Sequence, residues 1–364
     1  MKNNPLFTVF FKLVLLVVFL AGCTAPAQFL ATESATPSVF PSPILQPTIA
    51  VRSDGLTEDE ADTLSSLEKI NDHPLYTMFY SGSYDQGLVS LEDNKTISKL
   101  SDQPAWACSL FAALGETENK LYGRNFDWQD SPAVLLFTDP PDGYASVSMV
   151  DIAYLGFQGE LAQTITDLPL SDRKALLNAP YLPFDGMNEH GLVVGMAAVS
   201  NGNNRPEPDK ETIDSLMVIR LMLDQARYVE EAVTILQTYN IDWGNGPAIH
   251  YLIADAAGKA VLAEFYQGRL VLTANESNWH LATNFIRASV GISPEGICSR
   301  YDTIYQKLSQ TDGQLSEQQA IGLLSNVSQG NTQWSVVYGL NTGVVNVVMG
   351  RQFDKIHTFK LEKK

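Results

Sequence analysis

From Pro104 onward the chain is a succession of short apolar runs separated by polar turns, and that rhythm limits the fold more than any other feature. Ala105 to Leu114 and Lys120 to Phe126 read as adjacent strands joined by the polar turn Gly115-Glu116-Thr117-Glu118-Asn119. Further strands are predicted at Ala133 to Thr138, Ala145 to Tyr154, Gly191 to Val199, Ile249 to Ala254, Ala260 to Tyr266 and His280 to Asn284. Asp255-Ala256-Ala257-Gly258-Lys259 marks a hairpin. The last strands are predicted at Thr332 to Tyr338 and Val344 to Met349, joined through Asn341-Thr342-Gly343. Helical spacing recurs over Thr212 to Ala226, Val229 to Tyr239, Tyr301 to Leu308 and Ser316 to Leu324. Strands, then helical regions, then strands again imply packed sheets covered by helices, an α+β layering.

The helix predicted at Thr212 to Ala226 is apolar most of the way round and is expected to be well buried. Arg220 within it must reach solvent along its stem or find an acidic partner. Ahead of the body, Leu56 to Asn71 carries apolar residues at helical spacing (Ala61, Leu64, Leu67, Ile70), and His73 to Ser81 reads as a strand.

The first residues carry an address rather than a fold. Lys2 and Lys12 precede the apolar run Leu13 to Leu20, which is too short to span a bilayer as a helix, and Leu20-Ala21-Gly22-Cys23 follows. That ending resembles a bacterial lipobox, so residues 1–22 are expected to be a lipoprotein signal peptide and Cys23 the lipidated first residue of an exported, envelope-anchored protein. Acyl chains contribute about 0.8 kcal/mol per buried methylene, so several on one cysteine hold it to a membrane. Residues 23–55 are rich in Pro, Ser, Thr and Ala, a composition suited to a tether. Residues 56–107 are expected to be a pro-segment and 108–364 the main domain.

Charge narrows the partners. With a formal net charge of -17 the chain is repelled by phosphate backbones, so no nucleic acid is expected. Five scattered histidines and the absence of H-E-x-x-H, paired C-x-x-C, G-x-S-x-G or a Walker loop leave no metal or cofactor expected.

Three cysteines occur, and lipidation of Cys23 leaves Cys108 and Cys298. In an exported protein such a pair suggests a disulfide. The competing reading makes Cys108 a nucleophile, with Arg124 and Asp127 on the strand that follows it. A neighbouring guanidinium favours the thiolate, which is the attacking species. Were the chain cut after Ala107, the α-amine of Cys108, with a pKa of about 7.7 to 8.0, would supply the base. Asp127 can accept hydrogen bonds from that ammonium group.

Taken together these residues resemble the choloylglycine hydrolase and penicillin V acylase group and the linear amide C-N hydrolases that include acid ceramidase-like enzymes. The resemblance rests on Cys108, Gly123-Arg124-Asn125-Phe126-Asp127-Trp128, Gly186-Met187-Asn188-Glu189-His190-Gly191-Leu192, Thr283-Asn284 and Ser299-Arg300-Tyr301. It implies a four-layer αββα N-terminal-nucleophile hydrolase sandwich acting on a small N-acyl amide. It also implies that Cys108 is the nucleophile, that Arg124 stabilises its thiolate and Asp127 binds the freed amine, that Asn284 stabilises the oxyanion and that Arg300 completes the charge network. The acid ceramidase-like branch further implies that the severed pro-segment stays docked through the strand around Leu75 to Tyr80. Homo-oligomers are compatible with it.

Residue by residue, other readings stand beside these. Arg124 and Asp127 could be an ion pair between strands, Asn284 a turn residue and Arg300 a surface salt bridge. Asn188, Glu189 and His190 are expected to shape a turn. Ala198 stands where relatives carry a second oxyanion donor, leaving a backbone N–H near it, Asn201 or Asn203 as candidates. Trp128, Phe157 and Trp243 are candidates for the pocket wall. A non-catalytic solute-binding lipoprotein would fit the anchor and tether, and an acyltransferase would fit the same motifs.

Overall fold

The computed structural model describes residues 52–84, 107–291 and 294–363. All lie in one compact unit, Ile49–Lys364. The expected signal peptide, the lipidation site Cys23 and nearly all of the tether lie outside the described residues. Among the described residues no helix is long and apolar enough to cross a membrane.

Two sheets stack face to face. The smaller, of six strands, contains β3 (Ser109–Ala113), β4 (Leu121–Asp127), β14 (Trp279–Ala282), β15 (Thr332–Gly339), β16 (Val344–Met349) and β17 (His357–Lys360), in the order β14-β3-β4-β15-β16-β17. All its neighbours are antiparallel. The larger, of nine strands, runs β1 (Glu68–Asn71), β2 (Leu75–Tyr80), β5 (Ala133–Thr138), β6 (Ser146–Asp151), β7 (Pro183–Asn188), β8 (Val193–Ala198), β11 (Ile249–Ala254), β12 (Ala260–Tyr266) and β13 (Arg269–Ala274). Helices α2 (Met217–Gln225) and α3 (Val229–Thr238) cover the larger sheet, while α4 (Ser299–Thr311) and α5 (Glu317–Val327) cover the smaller. The result is the expected α+β sandwich with layers in the order αββα. Its consecutive strands pair as hairpins instead of alternating with helices.

Strands whose faces are both covered lose their alternation, and β3, β4 and β15 are buried at every position. One apolar core fills the space between the sheets and beneath α2, and a second, around Ile304, Leu308, Leu324 and Val337, lies under α4 and α5.

Two predicted helices are shorter than their spacing suggests. Helix α1 covers Glu58–Ser65 only, started by a capping box in which Thr57 and Glu60 exchange hydrogen bonds of 3.2 and 2.8 Å. Beyond it Glu68 to Asn71 forms β1, held by its pairing with β2. Similarly Thr212–Asp214 is not helical but a strand, β9, paired in parallel with β10 (Asn240–Asp242). Asp214 then accepts the Leu216 N–H at 2.7 Å, opening the turn from which α2 departs. Arg220 takes the acidic alternative, pairing with Asp224 at 2.7 Å with both side chains buried.

The segment ahead of Cys108 is built into the larger sheet. Strand β2 runs parallel to β5 over six positions, from Leu75 opposite Ala133 to Tyr80 opposite Thr138. Leu56, Leu64, Leu75, Tyr76 and Met78 have no exposed surface. Tyr76 donates to the Ala162 carbonyl at 2.8 Å, and Tyr84 donates to Asp224 at 2.8 Å.

Candidate active site

Cys108 sits one residue before β3, buried, and neither it nor Cys298 is in a disulfide. The disulfide alternative is therefore not the state of this structure. Because β3 pairs with β4 antiparallel, with Ser109 opposite Asn125, the start of β3 meets the end of β4, and Arg124 and Asp127 come beside the sulfur. Burial pushes the Cys108 thiol above its ordinary value; Arg124 pulls it down and Asp127 adds to the rise.

Asp127 is fully buried. One of its oxygens, Oδ1, accepts from Thr332 Oγ1, while Oδ2 has no hydrogen-bond partner among the described residues. Burial raises this carboxyl to about 6, opposed by the Thr332 hydroxyl and by Arg300, Arg124 and Arg351. A buried acceptor without a donor costs about 1–3 kcal/mol.

Arg124 and Asp127 do not pair with each other. The Arg124 guanidinium crosses to the other sheet, where Nη1 donates to Asp185 Oδ2 and, at 2.7 Å, to the Phe184 carbonyl. Asp185 precedes the Gly-Met-Asn-Glu motif and no local pattern marks it as a partner.

Arg300 lies in the first turn of α4 and spans the peptide link in question. Its Nη1 donates to the Ala107 carbonyl at 2.9 Å, to the Cys108 carbonyl and to Ser109 Oγ at 2.9 Å; Nη2 donates to Asn284 Oδ1 at 2.9 Å. Asn284, just past the end of β14, donates Nδ2 to the Ala198 carbonyl at 2.8 Å. Ala198 thus contributes a carbonyl that orients Asn284. Asn201 and Asn203 are exposed and take no part in the cavity wall.

The sulfur opens onto a cavity of about 90 Å³ lined by Phe126, Trp128, Tyr154, Phe184, Met196 and Trp243, among others. Phe157 packs into the core instead. Asp214 reaches the same cavity but is committed to the start of α2.

The Gly-Met-Asn-Glu-x-Gly-Leu motif is architecture. Asn188 Oδ1 accepts from the His190 and Leu192 N–H groups, each at 3.1 Å, and Nδ2 donates to the Leu223 and Ala226 carbonyls at 3.0 and 2.7 Å, tying the turn to the end of α2. Glu189 accepts from the Ala145 N–H at 3.2 Å. Gly191 has φ +79°, and a Cβ there would lie 2.1 Å from the Leu340 carbonyl. His190 rests edge-on against Tyr144, half-buried.

Comparison with known proteins bears on the fold. The family model described as "Acyl-coenzyme A:6-aminopenicillanic acid acyl-transferase" matches residues 183–343. That stretch contains Asn188, Asn284 and Arg300 but not Cys108. A mutant conjugated bile acid hydrolase from Clostridium perfringens shares the fold, with a TM-score of 0.50, 16% identity and coverage of 71% of this chain and 93% of that one. A penicillin V acylase from Agrobacterium tumefaciens gives 0.48 at 15% identity, covering 70% and 86%. An uncharacterized protein of Paramecium bursaria Chlorella virus 1 is 32% identical over 88 residues, which span 22% of this chain and about a third of that relative. The fold that the motifs imply is thus met by the likeness to the bile acid hydrolase, and the family model spans three of the motifs read in the sequence.

Proposed function

We propose that this chain is a cysteine N-terminal-nucleophile hydrolase that cleaves linear amide C-N bonds of N-acyl compounds after its own backbone is cut before Cys108. The observation that carries this reading is the convergence of Arg124, Asp127 and Arg300 on one buried cysteine, with Arg300 Nη1 on the carbonyl of the residue ahead of it and Nη2 on Asn284.

In the precursor, the Cys108 sulfur attacks the Ala107 carbonyl carbon. The C–N bond of that link breaks, the thiol proton passes to the departing nitrogen, and water hydrolyses the resulting thioester. Arg300 is poised to stabilise the oxyanion of this step. The new α-amine of Cys108 finds the open Oδ2 of Asp127 as its acceptor.

In turnover the amine takes the thiol proton as sulfur attacks the acyl carbonyl, then returns it to the leaving nitrogen. Water releases the acyl group from the thioester. Asn284 Nδ2 retains one proton beyond its bond to Ala198 for the developing oxyanion, an interaction worth about 2.7–4 kcal/mol per donor. A cavity of about 90 Å³ with aromatic walls is far below the ~300–1,000 Å³ of drug-sized sites and favours a compact acyl group.

The parallel β2–β5 pairing and the buried apolar residues of α1 and β2 support retention of the cut segment as a docked subunit. Through it the body would stay linked to a lipid anchor at Cys23 on the outer face of the cytoplasmic membrane or a further envelope layer.

The decisive experiment combines intact-mass measurement, N-terminal sequencing and a panel of linear amides for wild type and Cys108→Ala. A fragment beginning at Cys108, and loss of both cutting and turnover in the variant, are expected. Turnover that survives Cys108→Ala overturns the reading. Acyl transfer is the second reading, favoured by the description of the matching family model. Adding an acceptor amine and finding new amide in place of free acid would select it.

A further inference from the structure

Arg124 has an unusual division of labour. Its Nη1 is fully used, by Asp185 Oδ2 and the Phe184 carbonyl, whereas Nε and Nη2 are buried with no hydrogen-bond partner among the described residues. Asp185 is itself held from behind. Tyr338 donates its hydroxyl to Oδ1, and Trp334 Nε1 approaches Oδ2 at 3.4 Å. Arg124, Asp185, Trp334 and Tyr338 have no exposed surface at all. The group joins the two sheets, since Arg124, Trp334 and Tyr338 belong to the smaller and Asp185 to the larger.

The same group touches the cavity wall. Trp334 stacks on Phe126 with ring centroids 4.0 Å apart, and the Arg124 guanidinium lies 4.9 Å over the Phe126 ring. Phe184, next to Asp185 in sequence, packs edge-on against Trp334 and also lines the cavity.

We propose that Asp185 is a positioning residue: backed by Tyr338 and Trp334, it grips one edge of the Arg124 guanidinium and balances its charge, leaving the opposite edge for the Cys108 sulfur. A guanidinium buried without a counter-charge is very costly, and an ion pair in such a place survives only when its remaining bonds are well formed. Asp185 meets that need with a donor on each oxygen. It does so at a second consequence for the thiolate, because a negative charge behind Arg124 weakens the field the sulfur feels. Asp185 therefore sets how strongly Arg124 can act.

The inference rests on Cys108 being the nucleophile, yet its readout does not require turnover. Cys298→Ser serves as the background, so that Cys108 is the remaining thiol of the mature body. The rate of its alkylation by iodoacetamide is followed by mass across pH. The charged and titratable groups around it are Arg124 and Asp127 from β4, Arg300 from α4, Asp214 and Tyr154 on the cavity wall, its own α-amine after cutting, and Asp185, Tyr122 and Tyr338 behind Arg124.

Asp185→Asn keeps the shape and removes the negative charge; the alkylation midpoint is expected to fall by about one pH unit, a tenfold change in thiol ionisation. Tyr338→Phe keeps the charge but strips a donor from it, leaving the carboxylate's field less compensated, so the midpoint is expected to rise. Shifts of opposite sign are something a merely structural role would not produce. Profiles that superimpose on the parent, or that both move the same way, overturn the proposal. Should Asp185→Asn not fold, Tyr338→Phe decides alone, with a rise supporting the proposal and no shift overturning it. Failure here is distinct from failure of the hydrolase reading, which would show as turnover surviving Cys108→Ala.

Discussion

Replacing Arg300 with alanine separates the cutting step from folding. Arg300 Nη1 lies 2.9 Å from the Ala107 oxygen, where negative charge would develop in the proposed cut. Removing one such donor typically costs about 2.7–4 kcal/mol of transition-state stabilisation, which at ~1.4 kcal/mol per factor of ten is a rate loss of about 10²–10³. The side chain is half-buried, so its loss should lower global stability by only about 1–2 kcal/mol. Lysine offers one ammonium in place of a fork, so it can serve Ala107 or Asn284 but not both at once, and should fall between the two. The assay is a time course of intact mass after cell-free synthesis, scoring the fragment that begins at Cys108. An Arg300→Ala precursor that is cut as fast as wild type would falsify the assignment of Arg300 to the oxyanion.

Asp151 is buried, and burial raises its carboxyl to about 7 despite bonds from Ser131 and the Ala153 N–H. Between about pH 4 and about 7 the folded chain then holds a proton that the unfolded chain releases, so stability falls as pH rises through that window. In Asp151→Asn the fall should be shallower, with Asp127 contributing the same sign up to about 6; parallel urea midpoints against pH in the two proteins would refute this. Asn188→Ala removes four hydrogen bonds, two within the turn and two to the end of α2, and should cost about 2–5 kcal/mol by chemical denaturation while the folded fraction keeps its turnover number. A stability change under 1 kcal/mol would contradict that account. Met196→Ala widens the cavity beside the sulfur and should shift kcat/KM toward longer acyl groups, by about tenfold per added methylene; an unchanged chain-length profile would show that Met196 does not bound the acyl site.

What the sequence disclosed follows the range of the interactions. Hairpins such as β3–β4, β11–β12 and β15–β16 were legible because alternation and turn chemistry are local. Strand β7 was missed: Pro183-Phe184-Asp185-Gly186-Met187-Asn188 has little strand character of its own and is held by β6 and β8 on either side. In strand β1 Ile70 continues a helical spacing, yet the pairing with β2 prevails. For Thr212–Asp214 the neighbouring β10 overrides a similar pattern. Strand β13 is an edge whose side chains are all exposed or half-exposed, so no buried face marks it in the sequence.

At the site, the cluster of Cys108, Arg124, Asp127, Asn284 and Arg300 was legible as motifs. The true partner of Arg124 was not, since Asp185 lies 61 positions away in another sheet. The turn built on Asn188 was anticipated, but its hold on α2 depends on carbonyls 35 and 38 residues downstream. Trp128 and Trp243 reach the cavity as expected, whereas Phe157 is used up in the core.

Because β2 is threaded between β1 and β5, the strands on the two sides of residue 108 share one continuous hydrogen-bonded ribbon. Before any break in the 85–107 stretch, assembling that ribbon is a first-order event in a single molecule. Afterwards it needs an encounter between two, so its yield depends on dilution. A chain cut there, then denatured and diluted, would struggle to renature where the uncut chain succeeds, so the proposed scission would have to follow assembly.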